Sequence, residues 1–142
     1  MNVKNGFTLL EVLVVIIIVG VLASLAMPML FRNIRLASGT EALTTSGMIK
    51  RGIEGCAMQF AGDPVACAPN SVVVWDNIGM ADPSRTVNPA SNFNYTVFCG
   101  GFAGSYSCSV VAVDPTDGSA ITLSFTNNTT TRSGSSVFAG IQ

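Results

Sequence analysis

A chain of 142 residues with seven basic and eight acidic side chains has no cationic surplus for holding a nucleic-acid backbone, and without histidine it lacks the commonest general base and metal ligand. These features weigh against an enzyme or a zinc protein, and the sequence implies neither cofactor nor metal. Hydrophobic residues form 49% of the chain; one early run takes many of them, leaving the part after about residue 60 to fold as a compact unit.

Met1 to Gly6 holds one charge, Lys4, ahead of the apolar run Phe7 to Phe31, FTLLEVLVVIIIVGVLASLAMPMLF. A cationic head stays on the cytoplasmic side and sends the remainder outward, although Arg32 and Arg35 reduce that asymmetry. Residues 12–31 contain no charged side chain. At ~1.5 Å per residue a helix of that length spans the ~30 Å hydrocarbon core. A secretory signal with small residues at Ser24 to Ala26 is the rival, but its apolar core is usually ~7 to 15 residues and uncharged.

Glu11 breaks the apolar pattern, and a carboxylate in hydrocarbon costs on the order of 3 kcal/mol. Placed near a helix N-terminus, it is favoured by the dipole. A cut between Gly6 and Phe7 would also create an α-amino cation one helical turn away, and the two charges attract strongly in low dielectric. In a staggered array the amine of one chain would pair with the carboxylate of the next.

Lys4-Asn5-Gly6 followed by Phe7-Thr8-Leu9-Leu10-Glu11, then Gly20 and Pro28, resembles the N-terminal signature of type IV pilins and the related pseudopilins. The resemblance implies that a prepilin peptidase removes residues 1–6 as a leader, cutting between Gly6 and Phe7, and methylates the amine of Phe7. It assigns Glu11 to that processing or, more importantly, to subunit docking. The chain would wait in the bacterial inner membrane as a single-pass protein, N-terminus in the cytoplasm, until an ATPase-driven assembly machine extracts it into a homo-oligomeric helical filament outside the cell. The short leader and Phe7 favour the type IVa style over type IVb.

A helix that is apolar all round needs an apolar environment on every side, which lipid supplies before assembly and neighbouring stems supply afterwards. Within it Pro28 leaves the Ser24 carbonyl without its helical partner, and Gly20 weakens the helix by up to ~1 kcal/mol relative to alanine. These two positions are the expected weak points of the stem, giving a kink or, as in filaments of the family it resembles, a segment that loses helix.

From Leu30 the stripe Leu30, Ile34, Ala37, Ala42, Thr45, Ile49, Ile53, Cys56, Phe60 recurs at roughly helical spacing. Residues 7–31 are therefore the membrane or filament-core part of one helix, and 32–60 its amphipathic half. Gly39, Gly47, Gly52 and Gly55 make that half a poor helix former alone, so packing must hold it. A continuous helix would be ~80 Å long at ~1.5 Å per residue.

Residues 61–142 read as a small β domain. Strands are expected at Val72 to Trp75, Phe93 to Phe98, Ser107 to Val113 and Ala120 to Thr126, with a weaker one near Ser136 to Ile141, and Asn77 to Asn92 is a connecting loop. An antiparallel sheet laid on the amphipathic half would bury Ile49 and Ile53, giving an α+β fold of type IV pilin character. Four cysteines allow three pairings. Chain proximity favours Cys56 with Cys67 and Cys99 with Cys108, and an outward compartment permits them.

Many proteins of the family it resembles carry the second cysteine of a receptor-binding loop near the chain end. Here Cys108 is followed by another strand pair, so that role does not transfer to residues 99–108. Asp114-Pro-Thr-Asp117-Gly-Ser suits a hairpin turn better than a cation loop. The triplets at Asn94, Asn127 and Asn128 match the glycosylation pattern but fit strand edge and turn.

The reading reached is a structural subunit of a type IV pilus, serving adhesion, twitching motility or DNA uptake through contacts of the fibre with a surface receptor or DNA. A pseudopilin of a type II secretion system is the alternative, and a membrane-anchored binding module a more distant one. No nucleophile with a base and no phosphate loop is evident.

Overall fold

The computed structural model describes residues 8–68, 73, 75–135 and 138–139. Helix α1, Leu9–Gln59, runs for 51 residues, and compactness divides the chain into a stem up to Arg35 and a globular unit from Leu36 onward.

In the globular unit the helix becomes one-sided. Its buried residues are Gly39, Ala42, Ser46, Ile49, Ile53, Cys56 and Ala57, spaced three and four apart so that they form one stripe. The helix ends in a Schellman arrangement: Ala61 adopts φ 54° and Gly62 φ 84°, and the Gly62 N–H donates to the Ala57 carbonyl at 2.8 Å. A short 3-10 turn, Pro64–Cys67, follows, its start capped by Asp63, whose carboxylate accepts from the Val65 N–H at 2.9 Å.

Four strands, β1 (Asn94–Phe102), β2 (Ser105–Val113), β3 (Ala120–Thr126) and β4 (Thr130–Gly134), form an antiparallel meander in chain order. Alternation sets the inner face: Tyr95, Val97, Cys108, Val110, Ala112, Ile121, Leu123 and Phe125 are buried in one core with Ile49 and Ile53 of α1. Lys50 lies at the margin of that layer, its Nζ 5.5 Å from the Phe125 ring centroid and 2.8 Å from Glu54 Oε1. Phe138 closes one end, its ring 5.9 Å from that of Phe93.

The strands expected at Phe93, Ser107 and Ala120 are present as β1, β2 and β3. β4 was not expected as a strand. The segment expected near Ser136 to Ile141 lies almost wholly outside the described residues. So do Val72 and Val74 of the segment expected before Trp75, while Trp75 itself opens a turn.

Candidate assembly surface

The stem presents apolar side chains on every side. From Leu9 to Phe31 each large hydrophobic residue is exposed, from 43% at Val14 to 84% at Leu9. Its most apolar 18-residue window has a mean hydropathy of 2.9 and buries nothing within the chain. Val and Ile are poor helix formers in water, but in an apolar medium every backbone group must be satisfied within the segment, and a helix does that.

The first turn explains how Glu11 is held. Thr8 precedes the helix, its Oγ1 accepting from the Glu11 N–H at 3.3 Å and its carbonyl from the N–H groups of Glu11 and Val12 at 3.1 and 3.3 Å. Thr8 and Glu11 thus occupy the N-cap and third helical positions, the spacing of a capping box. The carboxylate sits where unpaired N–H groups and the helix dipole concentrate positive potential. The Thr-x-x-Glu spacing was available in the sequence and marks the helix start without reference to any partner. Gly6 and Phe7 lie outside the described residues.

Pro28 lies inside α1. Four residues earlier, Ser24 turns its hydroxyl back to the Val21 carbonyl at 2.7 Å, the local bonding that competes with helical pairing. A side chain at Gly20 would meet nothing within 4 Å, so no contact among the described residues requires glycine there. Beside Pro28, the residues Ala23, Ala26, Met27, Leu30 and Asn33 line a shallow apolar recess.

Two disulfides brace the globular unit. Cys56–Cys67 ties the last turn of α1 to the 3-10 turn, with Cα atoms 6.1 Å apart. Cys99–Cys108 crosses directly between paired positions of β1 and β2, with Cα atoms 4.1 Å apart. Its hairpin is closed by Ala103 and Gly104, the latter at φ 83°, a turn conformation that glycine adopts at little cost.

The Asp114–Ser119 connection is a turn held by its own carboxylates. Asp114 accepts from the Thr116 N–H at 2.8 Å and its hydroxyl at 2.5 Å. Asp117 accepts from the N–H of Ser119 at 2.8 Å and from its hydroxyl. No group of acidic or thiol side chains suited to a metal ion occurs among the described residues.

The stem exposes apolar side chains all round, and the globular unit packs a four-stranded antiparallel sheet against its own part of α1. Residues 1–27 match the prokaryotic N-terminal methylation motif. The chain is 33% identical over 104 residues to the type IV major alpha-pilin of Moraxella bovis, covering 72% of this chain and 64% of that protein. It is 42% identical over 53 residues to a fimbrial protein of Moraxella nonliquefaciens, covering 37% of this chain and 34% of the relative. The chain thus spans less than two thirds of the length of either relative. No solved structure matches it at comparable significance. Motif, relatives and fold together support a type IV pilin.

Proposed function

We propose that the chain is a structural pilin that polymerises through its stem into a surface filament. The observation that carries this reading is the stem itself, apolar on all sides, exposed throughout and interrupted by one carboxylate, Glu11, in the first turn of the helix. Residues 1–6 act as a leader; cleavage after Gly6 and methylation follow at Phe7. Residues 7–31 cross the inner membrane with the N-terminus in the cytoplasm, and the globular unit lies outside. On assembly the Phe7 amine of one subunit pairs with Glu11 of its neighbour, and stems replace lipid around one another.

Transfer from lipid to a bundle of stems exchanges one apolar environment for another, so shape and the Glu11 pair set the register. The recess beside Pro28 offers a neighbouring stem room for close approach. Gly20 and Pro28 weaken the helix where it changes surroundings. The filament then serves adhesion, twitching motility or DNA uptake.

Mass spectrometry of the mature N-terminus tests the reading. A chain beginning at methylated Phe7 is expected, whereas one beginning at Met27 would mark an ordinary secretory signal and overturn it. Electron microscopy of a deletion strain separates pilus from pseudopilus. Lost surface fibres support a pilin, whereas lost enzyme export with fibres intact identifies a pseudopilin.

A further inference from the structure

The face of the sheet turned away from α1 has a composition unlike the rest of the molecule. Strand register aligns its outward residues into rungs, one of which runs Phe98, Ser109, Ser124, Thr131 across all four strands. No outward position of the four strands carries a charge, and serine and threonine predominate there. Arg132, the one charged strand residue, sits opposite the buried Leu123 and belongs to the other face.

At one side of this carpet stand two aromatic rings. Phe98 and Phe102 are 48% and 69% exposed and occupy β1 positions paired with Ser109 and Ser105, four residues and ~13 Å apart at ~3.3 Å per residue. Gly100 lies between them, and a Cβ there would meet nothing within 4 Å, so the floor between the rings is open. The disulfide beside Phe98 fixes the hairpin that carries both rings, so little freedom is left to lose on binding.

We propose that this sheet face binds a neutral polysaccharide, with sugar rings stacked on Phe98 and Phe102 and sugar hydroxyls bonded by the serine and threonine rungs. A pyranose offers an apolar C–H face to an aromatic ring and a rim of hydroxyls that both donate and accept. Ser109, Ser124 and Thr131 offer the same dual capacity, and their hydroxyls make no hydrogen bond to other described residues. The lack of charge selects the class of ligand: the face has no cation for a phosphate, sulfate or uronate and no anion for a basic peptide. A second copy of the chain fits less well, because a stable protein interface needs an apolar centre of large area, and here the centre is hydroxylated while the rings stand at the side.

The inference goes beyond the filament reading and is tested apart from it, with the full chain purified in detergent micelles and sedimented with insoluble cellulose, insoluble starch or calcium alginate beads. Retention by at least one of the two neutral polymers, little retention by alginate, and an at least tenfold loss of retention in the double variant F98A/F102A are expected. A second variant, Ser124→Lys, places a charge in the central rung and is expected to weaken retention several-fold. None of the three side chains belongs to the buried core, so cooperative unfolding should persist with only a small drop in melting temperature, which separates binding from folding. The proposal is overturned if neither neutral polymer retains the chain, if alginate retains it equally, or if F98A/F102A is retained like the parent. It is equally overturned if that variant abolishes filaments in cells while the parent chain ignores both neutral polymers, which would make the face a contact between copies.

Discussion

Glu41 on α1 and Asn92 just before β1 are joined twice across 51 residues of chain. The Asn92 side-chain amide donates to Glu41 Oε2 at 2.7 Å, and its backbone N–H to Oε1 at 3.4 Å. The pair fastens the loop that precedes the sheet to the amphipathic half of the helix. A charge-assisted bond of this kind, exposed to water, contributes about 1 kcal/mol. Glu41→Ala should lower unfolding free energy by that amount, and a double-mutant cycle with Asn92→Ala should recover most of it as coupling. Additive losses would show that the two residues act separately.

Glycines on α1 should respond to alanine with opposite signs. A Cβ at Gly52 would lie 2.9 Å from the Ile78 carbonyl oxygen and 3.1 Å from its Cβ, whereas at Gly47 and Gly55 it would meet nothing within 4 Å. Alanine gains up to ~1 kcal/mol of helix propensity at an open site. Gly47→Ala and Gly55→Ala should therefore raise the melting temperature, and Gly52→Ala should lower it despite the better propensity. Thermal melts of the three variants in one micelle preparation decide the matter.

Tyr95 links stability to alkaline pH. Its ring is buried and its hydroxyl has no hydrogen-bond partner among the described residues. Burial pushes the phenol above its ordinary value of 10.0; the nearby Thr45 hydroxyl opposes the shift without reaching hydrogen-bonding geometry, the Glu41 charge adds to it, and Ser91 opposes it. The raised folded value means that the neutral phenol stabilises the fold fully below pH 10.0, and this contribution is lost as pH rises through the folded pKa. Tyr95→Phe should remove that alkaline loss and, by deleting an unsatisfied hydroxyl, leave stability at neutral pH unchanged or higher. Urea melts at neutral pH and above pH 10.0 check both.

Disulfide removal should cost stability without erasing the sheet. The two bridges close separations of 11 and 9 residues, for which chain-entropy arguments give about 2–4 kcal/mol each. Cys56→Ser with Cys67→Ser should also fray the end of α1, seen as faster amide exchange near Ala57. Cys99→Ser with Cys108→Ser should leave exchange in α1 unchanged. Uniform loss of protection in both variants would contradict this division.

Removing the helix cap should act locally. Thr8→Ala deletes the side-chain acceptor for the Glu11 N–H, leaving it the Thr8 carbonyl alone, and should cost about 1 kcal/mol of helix stability at that end. Amide exchange in micelles should quicken over the first turn of α1 and remain unaltered in β1 to β4. Equal protection in parent and variant would assign the cap no weight.

How much of this was legible in the sequence depended on whether a pattern was local. Ile49 and Ile53 stood out because three- and four-residue spacing is a property of the helix alone, and Ala120 to Thr126 because alternation is a property of the strand alone. β4 escaped because its side chains are exposed at every position except the half-buried Gly134, leaving no apolar period to read. Only its pairing with β3, where Thr130 meets Phe125, defines it. The isolation of the Tyr95 hydroxyl and the closeness of Ile78 to Gly52 arise from segments far apart in sequence, and no spacing announces them. For the stem, the Thr8–Glu11 cap was written in the sequence, yet the cost of a carboxylate in hydrocarbon drew the reading toward an intermolecular partner.

The meander has a kinetic consequence. Every strand pairs with its neighbour in sequence, and both disulfides close short loops. Most native contacts within the sheet therefore form with little loop-closure entropy, the condition for fast folding. Seating the sheet on α1, with the Glu41–Asn92 link, is the distant step. A chain appearing from its N-terminus can thus complete its hairpins in order of appearance, exposing its open strand edges only briefly to other chains.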